Sequence, residues 1–460
     1  MAPEADSEPR ITRRSVVAAG VGAVASAAIG GLPAWARSAR HTYPHRPGQL
    51  AVPGIPPIEQ VVVLMLENHS FDNVLGMLPY RVPSRVGVDG LPGNGRVPTA
   101  SNPDANGQPV VAFHELDDCP TSAGLTNNWD SSHRQYDNGH NNGFVTNARS
   151  TEPMGYFDDS DLPVTYALAS AFPISDRYFC SSFGQTYPNR RFLYCATASG
   201  TISTTPDTFA VRAPNGTIFD RLDAARISWH VYSEQVASPL LVPNFRTNPR
   251  QVARCLPFDS FHHDARAGKL PHFSLLDPNG SVDSEENPQD VQYGETLLAR
   301  VVAEIFNSPQ WPTTVLFVTY DEHGGYFDHV PPPSAIKPDN TPPDLSPQHK
   351  GTIPGAYDRY GFRVPLTVIS PWARAHYVSH KVADHTSILA FIERRWKLRP
   401  LTARDAHAWP LTDMFDLRKP AFRHPPRMPA APDVNVSLAR CEANGKNPPQ
   451  PSLLGSPPSP

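Results

Sequence analysis

Residues 58–72 read IEQVVVLMLENHSFD, an apolar, β-branched run that stops abruptly at a carboxylate, an amide and a histidine. From 58 to 66 the run is nearly continuous rather than alternating, which fits a strand buried on both faces of a parallel sheet. The pattern returns at 314–320 (TVLFVTY) and 364–370 (VPLTVIS), and more weakly at 227–232 (ISWHVY). Helical periodicity lies between these runs. Within 290–308, Leu298, Val301, Val302 and Ile305 share one face, and 387–396 repeats a shorter version. Strand and helix in alternation predict an α/β fold with a mostly parallel central sheet flanked by helices.

Proline supplies 53 of the 460 residues, more than twice the usual roughly 5%, which excludes a long-helix or coiled-coil protein and predicts long ordered loops. The stretches 80–112, 240–260 and 331–356 read as such loops. No repeat or linker interrupts the alternation, so 58–418 reads as one domain. An arm at 37–57 precedes it, and a mobile Pro-rich tail at 419–460 follows.

A net charge of −4 argues against nucleic acid as a partner. Arg13-Arg14 followed by a weakly apolar Ala/Val/Gly run reads as a twin-arginine signal peptide over 1–36, ending at Ala34-Trp-Ala36. This predicts engagement of the twin-arginine export machinery and a periplasmic, cell-wall-associated or extracellular protein with at most peripheral membrane contact. Five cysteines without zinc-like spacing allow up to two disulfides of undetermined connectivity.

Four constellations carry chemistry. Glu67 and Asn68, directly after the first strand, offer two adjacent hard oxygen ligands for a divalent cation, or else form a polar turn capped by Ser70 or Asn68. Asp321, Glu322 and His323 follow the 314–320 strand and lead through Gly324-Gly325 to His329; so much buried charge calls for a metal or a phosphate. His329 could instead pack beneath Pro331-Pro332-Pro333. In 184–192, Pro188 marks a helix start with Thr186 at or near its N-cap, where the helix dipole favours an anion, and Arg190 supplies a forked donor or points to solvent. Asp384 could orient His385 as a general acid or base, with His380 nearby, or these residues cap a helix.

Jointly the motifs resemble the bacterial phosphoesterase family of phospholipases C and AcpA-type acid phosphatases, within the alkaline-phosphatase-like superfamily. The resemblance runs from about Gln60 to Leu417, strongest in ENHSFD (67–72), TYPNR (186–190) and TYDEHGGYFDHVPP (319–332). It implies one divalent metal ion on Glu67, Asn68, Asp321 and Glu322, and Thr186 as the nucleophile of a phosphothreonine intermediate. It also implies Asn189 and Arg190 on the remaining phosphate oxygens and His385 as the acid for the leaving group. Two departures stand out. Asn127 and Asn287 occupy positions where many relatives carry histidine, which leaves His133, His323 or His385 to take over part of the work; His329 and His380 are further phosphate-site candidates.

The resulting expectation is a secreted phosphoesterase cleaving the phosphodiester of a phospholipid. An acid phosphatase acting on monoesters and a non-catalytic binder of phosphate or a phospholipid head group are the alternatives. Trp129, Tyr136, Tyr187 and Tyr326 are available to hold choline by cation–π contact. A serine hydrolase of the α/β type lacks its Gly-x-Ser-x-Gly elbow, and Thr186 at the head of its element argues for phosphate over sulfate.

Overall fold

Val61 to Leu66 are fully buried because helices cover both faces of the sheet they join. The computed structural model describes residues 55–450 apart from 95–96 and 122–123. The twin-arginine segment, most of the 37–57 arm and the end of the tail lie outside them.

The main sheet holds, in chain order, β1 (Gln60–Leu66), β2 (Ile174–Ser175), β3 (Trp229–Ser233), β4 (Cys255–Pro257), β5 (Phe273–Asp277), β6 (Thr314–Tyr320), β7 (Leu366–Ile369) and β8 (Val378–Ser379). Its spatial order is β4-β3-β5-β1-β6-β7-β2-β8. From β4 to β6 all neighbours are parallel, with Leu66 opposite Tyr320 and Leu64 opposite Leu276. Only β7 runs antiparallel to both neighbours. Sequence periodicity therefore finds β1, β3, β6 and β7 and passes over β5, the strand beside β1.

Six helices position the site or tie the chain to it: α1 (Phe71–Leu75), α2 (Trp129–Tyr136), α3 (Thr186–Cys195), α4 (Val291–Asn307), α5 (His385–Trp396) and α6 (Val434–Ala443). The apolar face of α4 is buried at Leu298, Val301, Val302 and Ile305. Phe391 of α5 meets Phe317 of β6 edge-on at 5.3 Å and Phe415 in a stack at 5.4 Å.

Three expectations need correction. Residues 80–112 contain two small antiparallel pairs, and 240–260 contains two short helices and β4, because Pro-initiated turns fold locally where composition alone suggests loop. The segment after 418 is not a free tail. Asp433 caps α6, Cys441 is disulfide-bonded to Cys119, Ser437 donates to Asp118 at 2.9 Å, and Asn444 and Lys446 reach Asp117 at 2.8 and 3.1 Å. Cys180, Cys195 and Cys255 are free thiols. Among the described residues, no helix is long and apolar enough to cross a membrane.

Candidate active site

Three adjacent parallel strands, β5, β1 and β6, end at the same edge of the sheet, and each delivers a carboxylate there: Asp277, Glu67 and Asp321. Ligands bind at this edge in open α/β sheets because the strand ends leave a crevice there. Arg190, on the second turn of α3, is buried among all three. Its Nη1 donates to Asp277 at 3.0 Å, Nη2 to Glu67 at 2.8 Å and to the Met65 carbonyl at 3.3 Å, and Nε faces Asp321 at 3.4 Å. Its fork is thus consumed by protein. The expectation that Arg190 holds phosphate oxygens does not match this placement: it is a counter-charge beneath the site.

Asn68 adopts a left-handed backbone with φ 67°, and its N–H donates to Asp321 Oδ1 at 3.1 Å. Gly324 makes this approach possible, since a Cβ there would lie 2.0 Å from the Asn68 carbonyl oxygen. Asp321 Oδ1 also accepts from the Glu322 N–H at 2.7 Å. Glu322 accepts from Gly324 N–H at 2.8 Å and from the Asn127 amide. Thr186 is the first residue of α3, with Gln185 rather than Thr186 as its N-cap. The partly buried Thr186 hydroxyl donates to Asn68 Oδ1 at 3.5 Å.

A further acid, overlooked in the sequence except as an alignment landmark, joins the group. Half-buried Glu286 hydrogen-bonds Glu67 and stands close to Glu322. It sits on a turn built by Gln289, whose Oε1 accepts from the N–H groups of Ser284 and Glu285 at 3.0 and 3.1 Å. Burial pushes the acids up, Glu67 and Asp321 to about 7 against the pull of Arg190, and Glu322 and Glu286 to about 8. One arginine does not compensate these groups. An all-oxygen donor set with uncompensated negative charge suits a hard divalent cation, so Glu67, Asn68, Asp321 and Glu322 fit a metal. They are not the tightest ligand-type clusters among the described residues. Those are Asp72-Asp328-His329, Asp117 with the cysteines of the disulfide, and His114-Asp158-Asp161. The first is already neutralised by Arg363, which reaches Asp72 at 2.9 Å and Asp328 at 2.8 Å, and the second has its sulfurs bonded to each other.

The histidines divide. His385 is fully buried; its Nε2 donates to the Asp321 carbonyl at 2.7 Å and its Nδ1 accepts from Tyr178 at 3.0 Å. Burial lowers it to about 4, and both ring nitrogens are engaged by protein, which places it behind the Asp321 backbone and not at the position expected of an acid for the leaving group. Asp384 caps α5 and pairs with Arg404 at 3.4 Å instead of orienting His385. His323 is buried between Glu322, at 3.2 Å, and Gln135, at 2.9 Å, and lowered to about 3 by burial. His133 packs between Trp129 and Phe183, with Nδ1 donating to the Trp129 carbonyl at 2.7 Å. His329 bridges Asp72 and Asp89 at 2.7 and 3.1 Å, and His380 bonds Asp176 at 2.8 Å, both within the Arg363 network rather than at the metal-ligand cluster. Asn189 is sealed inside its own loop, donating to three carbonyls and accepting from Ser182 N–H, so its amide too is engaged by protein.

The departures have different fates. Asn127 faces Glu322, whereas Asn287 turns to the Tyr326 hydroxyl at 2.7 Å and the Thr121 carbonyl at 3.3 Å. The expected choline-binding aromatics are largely committed to the core. Trp129, Tyr187 and Tyr326 are buried, and the Tyr136 ring is covered by Arg359 at 4.9 Å.

A parallel-stranded α/β fold with an acidic, oxygen-lined crevice and a hydroxyl at a helix start defines a class of ester-cleaving enzymes. The chain belongs to the Phosphoesterase family, whose model matches residues 58–399, and it is a hydrolase acting on phosphate ester bonds. It is 31% identical to non-specific phospholipase C1 of Arabidopsis thaliana over 83% of this chain and 75% of that one. It is likewise 31% identical to phospholipase C B of Mycobacterium tuberculosis over 84% and 83%. A solved protein of the alkaline phosphatase superfamily from Vibrio parahaemolyticus overlays with a TM-score of 0.34 at 12% identity, over 54% of this chain and 64% of that one.

Proposed function

We propose that this is an exported phosphoesterase of the phospholipase C type, cleaving the phosphodiester of a phospholipid through a phosphothreonine intermediate. The observation that carries the reading is the Thr186 hydroxyl on Asn68 Oδ1, beside the carboxylates of Glu67, Asp321 and Glu322. A single divalent ion held by Glu67, Asn68, Asp321 and Glu322 would supply the positive charge that neutralises a phosphate oxygen and eases loss of the Thr186 proton. The protein's own part is placement. The start of α3 presents Thr186 Oγ1 for in-line attack on phosphorus, Asn68 Oδ1 orients that hydroxyl, and Arg190 and His385 fix the carboxylate side chains and the Asp321 backbone from below. Attack joins Thr186 Oγ1 to phosphorus and breaks the bond from phosphorus to the leaving oxygen, which departs as the alcohol with the equivalent of the proton Thr186 gives up; water then cleaves the phosphothreonine, releasing the phosphate monoester and restoring the hydroxyl.

Export by the twin-arginine route accompanies this reading. A disulfide between Cys119 and Cys441 supports an oxidising compartment.

The experiment compares p-nitrophenylphosphorylcholine with p-nitrophenyl phosphate on protein starting at Arg37, supplied with divalent metal. Diester turnover is expected to exceed monoester turnover, and Thr186→Ala is expected to remove both by a factor on the order of a thousand or more. Intact turnover in Thr186→Ala would overturn the nucleophile, faster monoester cleavage would make the enzyme an acid phosphatase, and no turnover of either would make it a binding protein.

A further inference from the structure

Near the same edge of the sheet lies an open groove of about 530 Å³ that takes no part in the chemistry above. Its walls are Ile336, Val382 and Trp409, 44, 42 and 37% exposed, with Pro333, Tyr360 and Ala408 between them. Three large apolar side chains gathered in one solvent-facing place offer a small apolar contact, whereas single exposed ones need no explanation. The ring of Trp409 is fixed, since its indole N–H donates to Asp413 at 2.6 Å, and the Lys381 ammonium lies 5.7 Å from its centre. Nearby acids are already engaged: Asp413 also accepts from Ser379 and Tyr377, and Asp358 faces Lys337 at 3.7 Å. Lys381 has no acidic partner among the described residues. The groove thus joins an oriented tryptophan and two aliphatic side chains to a neighbouring ammonium that has no ion-pair partner among the described residues. That combination matches the boundary of a lipid layer, where the indole lies at head-group depth, the aliphatics reach acyl carbon and the lysine meets phosphate.

Position supports the same occupant. Ala383-Asp384, next to Val382, pair in parallel with Tyr178-Phe179, and His385 then donates to the Asp321 carbonyl. Arg404, under the groove with its guanidinium 4.9 Å from the Tyr360 ring, donates to the carbonyls of Ile336 and Ser181. Ser182, the next residue, is held by Asn189 of α3. The groove and the start of α3 are therefore carried by one continuous set of contacts at the crevice end of the fold.

We propose that this groove is a docking surface for anionic lipid bilayers, holding the enzyme on the layer that contains its substrate. The proposal rests on the phospholipase reading for its purpose, but its test does not depend on turnover.

The test is co-sedimentation with vesicles of equal parts phosphatidylcholine and phosphatidylglycerol, in a Thr186→Ala background so that the vesicles stay intact. Ile336→Ser with Val382→Ser, and separately Trp409→Ala, are expected to weaken binding about tenfold or more. Lys381→Gln is expected to weaken it on these vesicles and not on pure phosphatidylcholine. Leu116→Ser, 82% exposed and outside the groove, serves as the control and is expected to bind as the parent does. The groove variants, rebuilt with Thr186 intact, should keep the parent's rate on p-nitrophenylphosphorylcholine, which also shows that they fold. No sedimentation of the parent, equal sedimentation of parent and groove variants, or equal loss with Leu116→Ser would each overturn the docking surface. So would loss of soluble-ester turnover in the groove variants, or dissolution of a dimer by Trp409→Ala, which would make the groove a substrate pocket or a contact between copies. Failure of the soluble assay in the otherwise unaltered enzyme would instead count against the phosphoesterase reading alone.

Discussion

Arg190 shows how one side chain can be essential to a site without facing its substrate. Buried, it gives three carboxylates their only direct guanidinium contact among the described residues, and the charge left over is what a cation must meet. That balance sets a pH dependence. Glu67, Asp321 and Glu322 are raised from 4.5, 3.8 and 4.5 to about 7, 7 and 8 by burial. A raised carboxyl contributes stability that is fully present below its unfolded value and is lost as pH rises through its folded value. Chelator-treated protein is therefore expected to melt at progressively lower temperature between about pH 4 and pH 8. Added divalent cation should raise the melting temperature more at pH 8 than at pH 5, and an increment independent of pH, read by differential scanning calorimetry, would contradict the assignment of these ligands. The motif reading found these acids because carboxylates directly after a buried strand have few other reasons to exist. It did not anticipate that Asn189, Arg190 and His385 are engaged by protein, because sequence gives residue type and spacing but not which way a fork or a ring points. Glu286 escaped because its turn is sequence-remote and meets Glu67 only in the folded chain.

Elements were legible where periodicity is strong. Strands β1 and β6 and helix α4 are long, apolar and regular, and their bounds fall within a few residues of those expected. Strand β5 was not, since five residues following Pro271-His272 carry too little pattern to separate a central strand from a loop end. Helix α6 lay hidden in proline-rich surroundings, and what docks it is a cross-link to a residue 322 positions earlier. The stretch it secures matters: Cys119 leads to Thr121, which takes the Asn287 amide, and on to Asn127, which donates to Glu322. Closing so long a loop is worth about 6 kcal/mol in the chain-entropy account, an upper figure for a real cross-link. Cys441→Ser is accordingly expected to lower the urea midpoint by a corresponding amount and to weaken metal affinity in a chelator competition. An unchanged midpoint would show that the polar contacts of α6 alone anchor that segment.

For the whole molecule, the parallel core was inferable because strands buried on both faces need helices on both sides. The antiparallel turn at β7 was not, as strand direction leaves no mark on an apolar run. Beside β7 the fold is locked by a second charged network: Arg363, fully buried, with Asp72 and Asp328, and His329 against Asp72 and Asp89. Burial alone would lower His329, but the two aspartates overcome it and hold the imidazole up to about 10 from 6.5. Its contribution is full below pH 6.5 and is lost as pH climbs through 10. The stability gap between the parent and His329→Gln, from urea melts, is expected to be constant below pH 6.5 and to close towards pH 10; a gap that widens with pH would mean a neutral ring.

The tie between Cys119 and Cys441 also orders events in time. A ribosome releases Cys119 long before Cys441, and by then every strand of the sheet has emerged. Covalent fastening of the segment that reaches Glu322 therefore cannot precede the emergence of the strands that carry the site.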